Sequence, residues 1–189
     1  MKKVIAFYKK HNNFIFFTLL AIILFVPQIR MPVQVFLNRV FSFSPSEISE
    51  EKREIIKDWD WTLYDENQRI IKFSNFKDKV ILINFWATWC PPCIAEFPEL
   101  QSLYDSYNSE VVFLFVAQDQ SKKVENFMNK KGYSVPIYYS KSAPPVLLNA
   151  SALPSTYLIS PSGEIVIQKT GSANWNSKKV HATIDALLR

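Results

Sequence analysis

Three stretches of the chain are nearly all apolar, and the residues around each of them set what it becomes. Val80 to Trp86 and Val111 to Ala117 are short and rich in β-branched and aromatic residues. That is the pattern of strands buried on both faces of a mostly parallel sheet. Val135 to Tyr139 reads as a further strand. From Cys93 onward Phe97, Leu100, Tyr104 and Tyr107 recur at spacings of three and four, which predicts a helix with one apolar face. Pro91 and Pro92 suit its first positions, where a missing N–H removes no helical bond. Lys122 to Lys131 reads as a surface helix ending at Gly132, and Ser177 to Leu188 as a closing helix. Trp59 to Tyr64 and Arg69 to Phe73 flank Asp65, Glu66 and Asn67 as a hairpin. Thr156 to Ile159 and Ile165 to Lys169 flank Ser160-Pro161-Ser162-Gly163, where Pro second and Gly fourth suit a type I turn. Strands alternating with helices predict an α/β layer fold.

The third apolar stretch, Phe14 to Val26, is of another kind. Basic Met1 to Asn13 precedes it and Pro27, Gln28 and Arg30 end it, the n-region and h-region of an export signal. It falls short of the ~20 residues of a comfortable span. PQIRMPVQVF offers neither a small-residue cleavage site nor a cysteine for lipidation. The expectation is an uncleaved signal anchor, with the lysines inside and the rest of the chain outside. The competing reading, a buried helix of a soluble protein, does not explain the flanking lysines. Val33, Phe36, Leu37 and Val40 then repeat with helical spacing, suited to lying flat in the outer headgroup region or to packing on a partner membrane protein. Both remain open. The organisation expected is a basic tail, anchor and amphipathic segment over residues 1–41, a linker or short helix over 42–58, and one domain over 59–189.

Charge supports that division. Net charge over the 189 residues is +5, which by itself suggests nucleic acid. The first 41 residues hold Lys2, Lys3, Lys9, Lys10, Arg30 and Arg39 and no acid, leaving 16 basic and 17 acidic residues elsewhere. The excess is an N-terminal address, and no nucleic-acid partner is expected.

Candidate chemistry lies where the first buried strand turns into its helix. Cys90 and Cys93, the two cysteines of the chain, sit at the positive end of a helix macrodipole. There the N–H groups of the first turn stabilise a thiolate and lower the thiol pKa. Cys90, at the turn, is expected to be the exposed nucleophile, and Cys93, one turn inward, the buried thiol that attacks a mixed disulfide. Two other uses of the pair compete. A structural disulfide closing so short a ring contributes only ~2 kcal/mol. A closed zinc site wants four ligands, and His11 and His181 have no ligand spacing.

NFWAT followed by WCPPC, then EFP, and much later LPST, resembles the membrane-anchored TlpA/ResA-like thiol-disulfide oxidoreductases of the thioredoxin superfamily. The resemblance covers roughly Trp59 to Arg189. It implies a thioredoxin-like fold, a central mixed sheet flanked by helices with an N-terminal β-hairpin, behind the membrane anchor. It makes Pro154 a cis-proline facing the cysteines, with the Leu153 backbone placed to pair with an extended substrate. Trp86, Trp89 and Phe97 read as core and rim packing, with contact to substrate the further reading for Trp89, which adjoins the nucleophile. Glu96, three residues beyond Cys93 and on its helix face, matches the acid that tunes the thiols in this family. Buried there, its pKa would be raised and it would take the proton of Cys93; an ordinary first-turn acid is the alternative. An extra helical segment beside the site is implied within Ser140 to Ala152, at Val146 to Asn149, against a plain surface loop. Asn84 departs from classical thioredoxin, which has a buried aspartate here, so a proton relay must run through Glu96, water or nothing.

The function expected is reduction of protein disulfides outside the cytoplasm, on an inner membrane facing the periplasm, with no cofactor beyond the Cys90–Cys93 disulfide. The resemblance implies a membrane electron donor of the CcdA/DsbD type and apocytochrome c as a substrate. A thiol oxidase or isomerase is the alternative within the class, although CPPC lacks the histidine between the cysteines that marks strong oxidants. A redox-silent, membrane-tethered peptide clamp is the alternative outside it.

Overall fold

The computed structural model describes residues 2–148 and 150–189. In chain order the elements are α1 (Lys2–Phe25), α2 (Pro27–Val40), β1 (Thr62–Asp65), β2 (Ile70–Lys72), β3 (Ile81–Trp86), α3 (Pro91–Tyr107), β4 (Val112–Ala117), α4 (Ser121–Lys131), β5 (Ile137–Ser140), β6 (Ser155–Ile159), β7 (Ile165–Thr170) and α5 (Lys178–Leu187). Seven strands form one sheet in the order β2-β1-β5-β4-β3-β6-β7. β3, β4 and β5 run parallel, while the β1/β2 hairpin and the β6/β7 hairpin pair antiparallel on either side. This is the thioredoxin-like mixed sheet, and within residues 59–189 the expected strands and the helices α3, α4 and α5 fall within a few residues of their predicted bounds.

Every residue of β3 is buried, so its side chains alternate between two cores. Leu82 and Trp86 face a core built with α3, α4 and α5, including Phe97, Met128 and Ile184. Ile81, Ile83 and Phe85 face the second core, with Trp61, Phe73 and Tyr157. No long helix among the described residues covers that side; a stretch around Ile56 to Trp61 and two 3-10 turns, Phe73–Phe76 and Val146–Leu148, close it. The segment expected at Val146 to Asn149 is therefore a single 3-10 turn that buries Leu148 and leaves Val146 in solvent, and Asn149 lies outside the described residues.

Residues 42–58 are not a free tether. Ile48 N–H donates to Val166 O, Ile165 N–H to Glu54 O and Ile56 N–H to Gly163 O, at 2.8, 2.9 and 2.9 Å. Thr183 Oγ1 donates to Glu47 at 2.6 Å, and Arg53 pairs with Glu47 and Glu164. The stretch straps onto β7 and α5 before the hairpin begins. Gly163 closes the β6/β7 turn at φ 84°, and its N–H donates to Ser160 O at 2.9 Å. A side chain there would add to the backbone strain a contact at 3.3 Å with Trp59.

Phe97 lies at the centre of the first core, wholly buried against Trp86, Phe115, Phe127 and Tyr133. Phe97→Ala is expected to cost about 3–5 kcal/mol of folding free energy in a denaturant titration, since the rings around it are held by separate elements and cannot close the void.

Candidate active site

The site forms where β3 hands over to α3. Gln118 N–H donates to Trp86 O at 2.8 Å, the last rung of the β3/β4 pairing, and Cys90 N–H donates to Ala87 O at 3.3 Å, closing the turn after the strand. Thr88, in that turn, donates its hydroxyl to Asp119, which also accepts the Gln120 N–H at 2.8 Å. The turn is thereby tied to the loop after β4. Cys90 is the N-cap of α3, with Pro91 and Pro92 at the first two positions. Neither proline has an N–H, so the first donor available to a capping atom is the N–H of Cys93. It donates to Cys90 Sγ at 3.3 Å, the helix-end stabilisation expected for a thiolate.

Cys90 and Cys93 are joined in a disulfide. Cys93 is wholly buried, and Cys90, expected to be exposed, retains only 3% of its surface. The disulfide and the N-cap bond together draw its sulfur in over the first turn of the helix. The neighbouring Trp89, at 57% exposure, is what the site presents to solvent. Among the described residues no group of His, Cys, Asp or Glu is arranged to hold a metal ion.

Across from the cysteines, the Leu153–Pro154 peptide bond is cis. Ser155 pairs with Phe85, so Pro154 stands one residue beyond the paired part of β6, level with the end of β3 where the cysteine turn starts. Pro154 is buried and its carbonyl accepts the Gly171 N–H at 2.9 Å, while Leu153 is half-buried beside both cores.

Glu96 is 1% exposed, one turn along α3 from Cys93. Its Oε1 accepts from Asn84 Nδ2 at 3.0 Å, and its Oε2 from Ala173 N–H at 3.1 Å and Trp175 Nε1 at 3.0 Å. Asn84 also donates to Thr156 Oγ1 at 2.7 Å, two residues after the cis-proline. Burial raises the Glu96 pKa to about 8; the three N–H donors pull it down but do not offset the loss of water. Asn84 Oδ1 is buried without a partner. A half-turn of the amide would aim that oxygen at Glu96, the arrangement a protonated carboxyl calls for.

The structure thus gathers Trp89, Cys90, Cys93, Glu96, Leu153 and Pro154 around one end of the sheet. Sequence reasoning missed Trp175, Ala173 and Thr156. Trp175 lies 79 residues from Glu96, and no spacing could link them. A buried indole does need an acceptor for its N–H, which is the signal Trp175 carried.

A redox-active cysteine pair at a helix N-terminus, beside a cis-proline on a thioredoxin-like sheet, defines a thiol-disulfide oxidoreductase site. The AhpC/TSA family model matches residues 56–168. The thiol-disulfide oxidoreductase ResA of Bacillus subtilis (strain 168) is 34% identical over 115 residues, 59% of this chain and 64% of its own length. ResA of Bacillus thuringiensis (strain Al Hakam) is 30% identical over 126 residues, 65% of this chain and 73% of that protein. The crystal structure of a DsbF homologue from Corynebacterium diphtheriae superposes with a TM-score of 0.58 at 18% identity, over 75% of this chain and 99% of that one, a likeness of fold. The chain belongs to the AhpC/TSA family and, within it, to the ResA-like thiol-disulfide oxidoreductases of the thioredoxin superfamily.

Burial of Glu96 has a consequence for stability. The folded protein holds this proton up to about pH 8, whereas the unfolded chain releases it near the ordinary value of 4.5. The resulting stabilisation is complete below pH 4.5 and is lost as pH rises towards 8, by no more than about 5 kcal/mol. Denaturant titrations from pH 4 to 9 should show this decline in the parent and a flatter profile in Glu96→Gln.

Proposed function

We propose that this protein is a membrane-held, extracytoplasmic reductase of protein disulfides. The observation that carries the reading is the Cys90–Cys93 disulfide at the N-cap of α3, with cis-Pro154 level with the end of the strand that leads into it and a buried acid one turn inward. In the reduced enzyme the Cys90 thiolate, held by the Cys93 N–H, attacks one sulfur of a substrate disulfide. One substrate thiolate leaves and Cys90 is joined to the other. Cys93 then gives up its proton and attacks Cys90 Sγ, releasing the second substrate thiol. Two electrons have passed to the substrate, and the enzyme is left with the disulfide present in this structure. Trp89 and the Leu153 backbone border the place where an extended substrate would lie.

Glu96 is placed to take the proton from Cys93. Its pKa of about 8 puts the base form close to neutral pH, where a general base works best, and Asn84 at the adjoining strand position cannot replace it. The outside of the cell is oxidising, so the dithiol must be regenerated by an electron donor in the membrane, of the CcdA/DsbD type. Thiols of apocytochrome c, reduced ahead of haem attachment, are the substrate class the ResA-like relatives suggest. The membrane reading is supported by the basic, acid-free N-terminus and by exposed apolar side chains along α1. No single helix among the described residues is long and apolar enough to cross a membrane; residues 13–25 and α2 meet the composition test only as a pair bent by 87°. The apolar part of α1 spans about 20 Å against a hydrocarbon core of ~30 Å, a shortfall that local thinning of the bilayer would reduce.

The reduction potential tests the direction of electron flow. Equilibrium against glutathione should place the pair well below the about −120 mV of a strong oxidant such as DsbA. A value at or above it would make the protein an oxidase, and no two-electron titration would make it a clamp.

Resolution of the mixed disulfide tests Glu96. In the parent it should accelerate as pH rises towards about 8 and then level off. Glu96→Gln should remove that rise, slow resolution on the order of 10²-fold and accumulate substrate on Cys90, with little change in the alkylation of Cys90. Parent-like turnover of the variant from pH 6 to 9 would make Glu96 a residue of helix structure alone.

A further inference from the structure

Helix α2 has two sides, and protein occupies one of them. It packs along α3, with Val35 and Asn38 half-buried and Ser172 Oγ donating to Asn38 Oδ1 at 3.5 Å. Arg39 and Ser42, at its end, line a small cleft with Ala95 and Glu99 of α3. On the other side Ile29, Phe36 and Val40 form an exposed apolar stripe, with Phe36 at 65%; Leu37 and Phe41, also exposed, edge it where a cleft opens towards Asn38 and Ser172. Val33 on that side is half-buried.

Three observations say what covers the stripe. It continues from the second half of α1, where Phe14, Phe17, Leu20, Ile22, Ile23 and Phe25 are exposed in several directions about the axis, the surface of a segment that meets hydrocarbon. The two helices meet at 87°, the angle between a segment that enters a bilayer and one that lies along its surface. No acidic residue occurs before Glu47, and Arg30 borders the stripe where lipid phosphates would lie.

We propose that α2 lies in the outer headgroup region with Ile29, Phe36 and Val40 in lipid, and that its opposite side holds α3, fixing the cysteine pair at a set height above the membrane. The proposal rests on the reading of α1 as the membrane segment. Ala95 is five residues from Cys90, about 8 Å along the helix axis. Adding the ~10–12 Å width of α2, Cys90 stands within roughly 20 Å of the lipid. The domain is then held in one orientation rather than suspended on a tether, and the surface it scans is that of the membrane.

The test uses the full chain reconstituted in phosphatidylcholine/phosphatidylglycerol vesicles with Cys90–Cys93 oxidised, so that a nitroxide attaches only to one introduced thiol. Phe36→Cys and Val40→Cys report on α2, Phe17→Cys on α1, and Lys130→Cys on the far end of α4. Collision rates with oxygen and with a water-soluble nickel chelate are compared. Labels at positions 17, 36 and 40 should meet oxygen several-fold more often than chelate, and the label at 130 the reverse. If 36 and 40 behave like 130 while 17 remains in lipid, α2 stands free and the proposal fails although the anchor holds. If 17 also meets the chelate, the anchor reading fails and the proposal with it. Shielding of 36 and 40 from both reagents would place a second copy or a membrane protein on the stripe instead of lipid.

Discussion

The molecule is arranged around one carboxyl group that has almost no contact with water. Glu96 accepts N–H bonds from β3 through Asn84, and from the loop between β7 and α5 through Ala173 and Trp175. Its own helix carries both cysteines. A buried charge in this position needs all of its donors, and a buried neutral acid needs an acceptor for its proton, so either state constrains the elements around it. The chain beneath the disulfide is set by that requirement as much as by apolar packing. Asn84 links it onward to Thr156, so the strand that carries the cis-proline and the helix that carries the thiols share one polar connection.

This connection also bears on why the site keeps an amide where classical thioredoxin has an acid. Two buried carboxyls at this separation would repel each other when ionised and push one pKa far upward. With Asn84 in place a single group titrates, and the amide can face it with either its nitrogen or its oxygen.

Much of this was legible in the chain. The continuous apolar runs of β3 and β4 and the proline pair opening α3 are local signals, and the local physics that produces them is the same in the fold. Gly132, read as the stop of α4, sits there at φ 70°. The position of Glu96 followed from helical spacing, and its burial from the thiol beside it. What was illegible depends on distant parts of the chain meeting. Trp175 and Ala173 reach Glu96 only once β6 and β7 have placed the following loop. The 42–58 stretch is polar and charged in composition, and reads as linker because its attachment is through backbone hydrogen bonds, which have no side-chain signature. Cys90 reads as exposed when only helix position is considered; in the fold it is buried, its sulfur bonded to Cys93 and accepting the Cys93 N–H.

The attachment of that stretch matters beyond the fold. A seven-stranded open sheet has two outer strands, each with a row of unpaired N–H and C=O groups that can template association with another chain. At one border β2 is only three residues long and carries Lys72. At the other, β7 has six residues and would be a long adhesive strip, but residues 48–56 lie along its start and bond to Val166 O, to Ile165 N–H and, in the turn before the strand, to Gly163 O. An extended segment of any other chain can add to such a strand wherever its outer N–H and C=O groups are free. The bonds to residues 48–56 take up the start of β7 and so shorten the edge on which the strand of another chain could be added.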